Sequence, residues 1–262
     1  AMVSVNDLGQ PVGGRLVGWR VPAHPPWREL AGNRVRLEPL AAERHAASLH
    51  AANRLDSRGR NWTSLAYGPL AEVDDYAAWV DTYCRGPDPL FYAIVEQDSD
   101  LATGVASYLR ITPPSGTIEI GHINFSPRLQ RTAGATEAIY LLLRQAFDLG
   151  YRRCEWKCDA LNSASRAAAL RLGLSFEGIH RQAAVVKGRN RDTAWYAAID
   201  REWPALAAAF ERWLDSSNFD STGRQRLSLS VLTRQARRVV MAADDPLGDL
   251  SDRLLPPASP AS

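Results

Sequence analysis

Residues 117–150 read TIEIGHINFSPRLQRTAGATEAIYLLLRQAFDLG, and residues 151–174 continue YRRCEWKCDALNSASRAAALRLGL. The segment from Thr117 to Phe125 is rich in β-branched and aromatic residues and stops at Ser126-Pro127. It predicts a strand, because proline has no N–H for a strand ladder. After a loop, apolar residues recur three and four positions apart from Ala135 to Phe147, with Gly150 at a C-cap position, which predicts an amphipathic helix.

The loop from Arg128 to Gly134 predicts an anion site. A helix that follows a loop of small residues exposes unpaired backbone N–H groups at the positive end of its dipole, and these suit a phosphate. Arg128 and Arg131 add positive charge. Small residues are common at such turns, so the loop alone does not identify a ligand.

The next segment predicts a second strand and a second helix. Cys154, Trp156 and Cys158 alternate with charged residues, and this period of two indicates a half-buried strand. The alanine-rich run SASRAAALRLG, ended by Gly173, predicts a short helix. The two cysteines would lie about 13 Å apart on a strand, too far to share a metal ion.

The runs QRTAGATEA, AFDLGYRR and DALNSASRAAALRLGLSFEG closely resemble the acyl-CoA-binding core of the GNAT superfamily of N-acetyltransferases. The branch they resemble most is the RimJ/RimL-like one, which acetylates ribosomal-protein N-termini. The resemblance covers roughly Asn33 to Ile199. It implies an α/β (α+β) GNAT fold, with a mixed, mostly antiparallel sheet of about six to seven strands, flanked by helices and splayed in the middle to admit acyl-CoA.

The resemblance also implies a binding site for acetyl-CoA. In the superfamily a loop of the pattern Q/R-x-x-G-x-G/A holds the pyrophosphate, and Gln130 to Ala135 align with it, with Ala133 in place of the central glycine. Asn162 is expected either to hold a pantetheine amide or to cap the helix. The implied cofactor-binding residues are Ile123, Phe125, Gln130, Arg131, Thr132, Ala133, Gly134, Ala135, Thr136, Asn162 and Ser165.

Acetyl transfer to an amine needs a group that removes a proton, because an α-amino group has a pKa near 8 and a lysine one of about 10. Glu119 resembles in position the general-base glutamate of several GNAT enzymes, and His122 is a second candidate. Ser165 is expected to donate to the CoA sulfur or to satisfy the first helical turn. The position of the tyrosine acid found in many GNAT enzymes is occupied by Ala169.

Aromatic walls with one carboxylate suit a cationic amine. Trp62 and Tyr67 come from one segment and Asp192 and Tyr196 from another, and the implied fold would bring these four residues to one end of the cleft. They are therefore the expected acceptor site. The acceptor itself stays open between protein N-termini, lysines and small-molecule amines.

The chain of 262 residues is expected to form one domain with extensions. We expect an N-terminal extension over residues 1–32, the GNAT domain over residues 33–216 and a C-terminal extension over residues 217–262. The segment GRLVGWR predicts an edge strand within the first extension, which should lie over the core. The last dozen residues, ending in PPASPAS, are expected to be mobile.

The formal net charge of +2 gives no case for a nucleic-acid or membrane partner. Three cysteines, no leader segment and no stretch of 18 apolar residues predict a cytoplasmic protein that does not span a membrane. No metal site is expected, and a homodimer stays open.

Two hypotheses of function follow. The first is an N-acetyltransferase that moves an acetyl group from acetyl-CoA to a primary amine by direct attack in a ternary complex. The alternative is a catalytically silent acyl-CoA-binding or regulatory module, suggested by Ala133 and Ala169. The arginines near residues 224–238 could also contact RNA, although no aromatic residues are interleaved with them.

Overall fold

The computed structural model describes residues 3–243. Its strands are β1 (Val3–Val5), β2 (Pro11–Gly13), β3 (Leu30–Ala31), β4 (Val35–Pro39), β5 (Leu90–Glu96), β6 (Ala102–Thr112), β7 (Thr117–Phe125), β8 (Arg153–Asp159), β9 (Ser175–Val186) and β10 (Arg189–Ile199). Its α-helices are α1 (Ala42–Asn53), α2 (Val73–Tyr83), α3 (Ala133–Asp148), α4 (Ser163–Arg171), α5 (Trp203–Leu214) and α6 (Leu229–Ala243).

One eight-stranded sheet has the order β3-β4-β5-β6-β7-β8-β10-β9. Strands β7 and β8 run parallel, and the other neighbours in this sheet are antiparallel. The predicted fold class is therefore confirmed. The sheet has more strands than expected because the N-terminal segment adds the two-residue strand β3 at one edge.

The sheet separates two hydrophobic clusters. Ile118 and Ile120 of β7 point to the face that packs on α3, α4, α5 and α6, which we call the α3 face. Phe91 and Val105 point to the opposite face, which packs on α1 and α2 and is called the α1 face. Because side chains alternate along a strand, Glu119 lies on the α1 face.

Helix α3 confirms the predicted amphipathic segment but begins at Ala133, two residues before the periodic pattern. Thr132 is its N-cap, and the Thr132 hydroxyl accepts a hydrogen bond from the Ala135 N–H at 3.1 Å. Gly150 follows the helix with a φ of +95°. This left-handed conformation favours glycine and explains the stop.

The N-terminal extension lies over the core, as expected. The Trp19 indole donates to the Gly150 carbonyl at 3.4 Å, and the Trp27 indole donates to the Phe91 carbonyl at 2.9 Å. The prediction of a strand at GRLVGWR is wrong, since residues 14–20 form no strand and Gly18 has a φ of +76°. The short strands of the extension lie on either side of this segment.

The C-terminal extension folds back onto the α3 face. Leu229 and Leu232 of α6 are buried in the same cluster as Ile118. Part of the C-terminal extension thus completes the core of the domain. The expected boundary between the GNAT domain and this extension, at residue 216, stays a prediction. The expectation of a mobile end concerns the last dozen residues, which lie outside the described range.

Candidate active site

Strands β7 and β8 separate in the middle of the sheet. They pair only from Thr117 to Glu119 on β7 and from Arg153 to Glu155 on β8. Beyond Glu119, residues 120–125 of β7 have no pairing with β8. This gap leaves the backbone of β7 available to a ligand that pairs like a strand.

A cavity of about 1760 Å³ occupies the gap and its surroundings. Ile123, Phe125 and Trp156 line it at the gap, α3 contributes its N-terminal half, and α4 contributes residues along its whole length. Its lining is strongly basic, and Asp159 is the only acidic residue among the described residues that line it. The cationic lining residues are Arg34, Arg60, Arg131, Arg171, Lys187 and Arg189.

The loop from Ser126 to Thr132 ends in an anion-binding geometry. The N–H groups of Leu129 and Gln130 both donate to the Ser126 carbonyl, so the loop forms a tight turn. Within the described residues, the N–H groups of Arg131, Ala133 and Gly134 find no acceptor. Free N–H groups at the positive end of a 16-residue helix suit a phosphate.

The predicted cofactor-binding residues gather around this cavity with one exception. The exception is Gly134, which does not line the cavity. A Cβ atom at this position would lie 2.9 Å from Val35 Cγ1, so the glycine allows α3 to pack closely on β4. The predicted residues that line the cavity are Ile123, Phe125, Gln130, Arg131, Thr132, Ala133, Ala135, Thr136, Asn162 and Ser165. Their contact with the cofactor stays a prediction.

Asn162 and Ser165 form the start of α4. The Asn162 side-chain oxygen accepts a hydrogen bond from the Ser165 N–H at 3.0 Å. Asn162 therefore caps the N-terminus of α4, which was one of the two roles expected for it. The Ser165 hydroxyl oxygen accepts from the Trp156 indole N–H at 3.0 Å. The Ser165 proton is therefore left to donate elsewhere, and Ser165 lines the cavity.

Glu119 lies at the last paired position before the gap, on the α1 face. It is 2% exposed, and one of its carboxylate oxygens, Oε2, is 3.5 Å from both Arg110 Nε and Lys157 Nζ. Burial raises the pKa of Glu119 from its usual 4.5 to about 7, although Lys157 and Arg110 act in the opposite direction. Glu119 does not line the cavity, since Arg110 and Lys157 cover its carboxylate.

His122 also lies on the α1 face. A bulge in the pairing of β6 with β7 gives His122 a φ of +49°. Its Nδ1 is 3.2 Å from the Tyr67 hydroxyl, and its ring lies 5.0 Å from the ring of Phe91. Burial lowers the pKa of His122 and Lys157 lowers it further, which favours the neutral ring.

The structure separates the four predicted acceptor residues into two groups. Trp62 and Tyr67 are neighbours, with ring centroids 6.1 Å apart on the α1 face. Tyr196 is buried in the cluster of the α3 face, and Asp192 bonds to Gln182 and Asn190 on the β9–β10 hairpin. The expectation that all four converge is wrong, because side chains alternate along β10 and Tyr196 points to the other face.

Trp195, the neighbour of Tyr196 on β10, is the aromatic residue that lies on the α1 face near Glu119. Its ring lies 4.7 Å from the Arg110 guanidinium carbon and 5.5 Å from Lys157 Nζ. These two cations are the ones that contact Glu119. A period-two assignment of the face of β10, based on Ala194, Tyr196 and Ala198 as the buried set, would have identified Trp195.

Sequence reasoning also missed polar residues at the gap. The Phe125 carbonyl accepts from the Asn61 side-chain amide at 3.2 Å and from that of Gln130 at 2.8 Å. Asn124, 2% exposed, lines the cavity, and its side-chain amide finds no partner in the described residues. Lys187 donates to the Trp62 carbonyl at 2.8 Å and so joins the hairpin turn to the loop before α2.

The β9–β10 hairpin has a tight turn. Its turn contains only Lys187 and Gly188, with φ values of +48° and +73°, and Arg189 already belongs to β10. Within residues 3–243, no group of three or more His, Cys, Asp or Glu side chains could hold a metal ion. None of the helices in this part of the chain is long and apolar enough to cross a membrane.

A mixed sheet that opens beside a helix N-terminus with free N–H groups fits a protein that binds acyl-CoA. The family of the acetyltransferase (GNAT) domain matches residues 34–175. The chain belongs to this GNAT acetyltransferase family. Its members use acetyl-CoA, and the free N–H groups and cations described above fit the phosphates of that cofactor.

Solved structures agree with this assignment. A GCN5-related N-acetyltransferase from Brucella melitensis is 43% identical over 84% of this chain and 100% of its own, with a TM-score of 0.81. A GNAT-family structure from Chromobacterium violaceum ATCC 12472 is 45% identical over 75% and 98%, with a TM-score of 0.70. RimL, a ribosomal alpha-N-protein acetyltransferase in complex with coenzyme A, is 23% identical over 66% and 99%, with a TM-score of 0.55, a likeness of fold. No curated protein matches the chain.

Proposed function

We propose that the chain is an N-acetyltransferase that acetylates a primary amine by direct attack in a ternary complex. The observation that carries this proposal is the position of Glu119, a buried carboxyl with a pKa of about 7 at the last paired residue before the gap. The phosphate-binding loop lies on the α3 face and Glu119 on the α1 face. Cofactor and acceptor would therefore approach the gap from opposite faces of the sheet.

Acetyl-CoA supplies an acetyl group as a thioester, which an amine can attack. The chain would hold its phosphates with the free N–H groups of Arg131, Ala133 and Gly134. The unpaired edge of β7 near Ile123 would hold the pantetheine arm in the manner of an added strand. A backbone N–H between Ile123 and Phe125 would stabilise the negative charge that develops on the thioester oxygen.

Glu119 is the proposed general base. A carboxyl with a pKa of about 7 is substantially ionised at neutral pH and is a stronger base than an ordinary carboxylate. Because Arg110 and Lys157 cover it, we place one water between Glu119 and the ammonium group. His122, neutral and hydrogen-bonded to Tyr67, is the second candidate for this proton transfer.

Ser165 is the proposed proton donor to the leaving thiolate. The Trp156 indole N–H donates to the Ser165 oxygen, which leaves the Ser165 proton free to donate, and Ser165 lines the cavity. The position of a tyrosine acid in related enzymes is filled by Ala169, which is completely buried. Ser165 is proposed over Ser163, the other cavity-lining hydroxyl of α4, because Ser165 also contacts Trp156, which lines the gap.

The acceptor side would consist of Trp195 and Tyr67 on the α1 face, with the carboxylate of Glu119. The acceptor is a protein N-terminus, a lysine or a small-molecule amine, and the fold-level likeness to RimL supports the first of these and a place in the RimJ/RimL-like branch. Three buried, free cysteines accord with a reducing cytoplasm. Asp192 and Tyr196 are not proposed as acceptor contacts.

Release of free CoA thiol from acetyl-CoA tests this proposal, measured with a panel of peptides that have free N-termini, lysine peptides with blocked N-termini, and small amines. We expect turnover with at least one class and mass spectrometry that shows one added acetyl group on its amine. CoA binding without transfer to any class would contradict the proposal. That result would favour the silent acyl-CoA-binding module.

A further inference from the structure

The cavity continues past the phosphate-binding loop to the C-terminal extension. The residues from the end of α5 and from the segment after it that line the cavity are Trp213, Ser216, Phe219, Gly223 and Gln225, which we call the C-terminal wall. Opposite this wall lie Arg34, before β4, and Arg171, at the end of α4. The wall therefore borders the end of the cavity beyond the helix N-terminus that fits the pyrophosphate.

Hydrogen bonds within the extension hold the wall in place. The Trp213 indole N–H donates to the Gln225 side chain at 2.8 Å, and the rings of Trp213 and Phe219 meet edge to face at 5.3 Å. The buried Asn218 donates to the Trp213 carbonyl at 3.0 Å and accepts from the Leu227 N–H at 2.9 Å. These contacts make the wall a defined surface of the folded domain.

Both arginines are fixed against the wall. The Arg171 guanidinium lies 4.9 Å from the centre of the Trp213 ring, and its Nη1 donates to the Thr136 hydroxyl at 3.0 Å. The Arg34 guanidinium lies 5.2 Å from the centre of the Phe219 ring. Cation–π contacts hold the two charges at set positions on either side of the start of α3.

Arg171 has a charge without a carboxylate partner. Within residues 3–243, no Asp or Glu forms an ion pair with its guanidinium, whereas Arg34 Nη1 lies 3.9 Å from Glu137 Oε1. Burial lowers the pKa of Arg171. A partly buried cation is costly unless an anion pairs with it. Since Arg171 lines the cavity beside Thr136 of the first turns of α3, a phosphate is the anion that its position fits.

We propose that the C-terminal wall, with Arg34 and Arg171, binds the nucleotide end of the acyl carrier and selects coenzyme A over carriers that have only a phosphopantetheine arm. The arginines pair with phosphate oxygens of the 3′-phosphorylated adenosine, and the aromatic wall contacts its purine. This inference rests on the assignment of acetyl-CoA as the cofactor. It gives the C-terminal extension a specific role in choosing the acyl carrier.

Calorimetric titration with CoA, dephospho-CoA and 4′-phosphopantetheine tests this inference. We expect wild type to bind CoA most tightly and 4′-phosphopantetheine least tightly. Arg171→Met keeps an unbranched side chain and removes the charge, and should weaken CoA binding by about 10- to 100-fold, the size of a lost charged hydrogen bond. Its affinity for 4′-phosphopantetheine should change less than about twofold, within the spread of surface substitutions.

Arg34→Met is the second variant, and it should show the same selective loss if Arg171→Met fails to fold. Arg224→Met is the matched control, because Arg224 belongs to the same segment and does not line the cavity. Unchanged CoA affinity in a folded variant, or equal losses for CoA and 4′-phosphopantetheine, would overturn the inference. These titrations measure carrier binding and contain no acceptor. Tight CoA binding without transfer to any amine would therefore contradict the proposed transferase function and leave this inference intact.

Discussion

Beside the gap, the α3 face and the α1 face of the sheet differ in charge. The cavity, which runs from the phosphate-binding loop on the α3 face through the gap to the loop before α2, is lined by six arginine or lysine residues and by Asp159 as its only acidic residue in the described chain. The α1 face carries Glu119 and Glu155, both buried, below Arg110 and Lys157. The difference indicates a division of tasks, in which one face binds an anionic cofactor and the other removes a proton.

The largest expected effect comes from the α1 face. Glu119→Gln should lower turnover by roughly 10²- to 10⁴-fold, the usual contribution of a general base. The affinity for CoA should stay the same, because Glu119 does not line the cofactor cavity. Steady-state kinetics with the best amine of the panel, together with CoA titration, measure both quantities.

Equal losses in turnover and in CoA affinity would remove the distinction between the two faces. Glu119→Asp serves as the control, since it keeps a carboxylate on a shorter side chain. Partial activity in Glu119→Asp would support proton removal, whereas the same loss as in Glu119→Gln would favour His122 as the base.

The same carboxyl should also affect folding. Because the pKa of Glu119 is raised from 4.5 to about 7, the folded state keeps a proton that the unfolded state loses as pH rises. Wild type should therefore lose stability between about pH 4.5 and pH 7, by an amount on the order of 3 kcal/mol if the full shift is realised. Glu119→Gln should lack this loss in urea unfolding at a series of pH values. A wild-type stability that rises with pH relative to the variant would contradict the raised pKa.

Ser165 tests the α3 face. Ser165→Ala should lower the maximal rate by about 10- to 100-fold, if the hydroxyl stabilises the thiolate by a charged hydrogen bond. The amine KM should not change, because Ser165 contacts Trp156 and the cavity and has no contact with Glu119. Ser165→Thr should restore part of the rate. A raised amine KM in Ser165→Ala would place the acceptor on the cofactor side.

Trp195 and Tyr196 give the smallest effect and the most direct comparison, since they are adjacent in sequence and point to opposite faces. Trp195→Ala should raise the amine KM by roughly 2- to 30-fold, the size of a cation–π contact of about 0.5–2 kcal/mol, because the ring also holds Arg110 and Lys157 beside Glu119. Tyr196→Phe should leave it unchanged, because the Tyr196 hydroxyl contacts Arg166 in the α3 face. The opposite pattern would show that the acceptor binds on the α3 face.

The sequence predicted what depends on local pattern. The strand, loop and helix from Thr117 to Gly150 follow from periodicity and capping, and the structure contains all three. The role of Gly134 was not predictable, because its contact with Val35 joins residues about a hundred positions apart. The choice of Tyr196 over Trp195 failed for a simpler reason, since an error of one residue in a strand moves a side chain to the other face.

The C-terminal wall shows the limit of sequence reasoning most clearly. Residues 216–228 contain almost no regular structure, and their polar composition is typical of a loop. Only the fold of α5 and α6 on the α3 face brings Phe219 to Arg34 and Trp213 to Arg171. No motif in the sequence marks these long-range pairs.

The pH dependence of kcat/KM for the amine, in wild type and in Glu119→Gln, tests the central claim most directly. If Glu119 removes a proton from the ammonium group, wild-type kcat/KM should rise through an inflection near pH 7, the pKa of Glu119. In Glu119→Gln that inflection should vanish, and the rate should rise instead through the pKa of the amine, at about 8 to 10, so that the two proteins converge at high pH. An inflection near pH 7 that survives in Glu119→Gln would contradict the account.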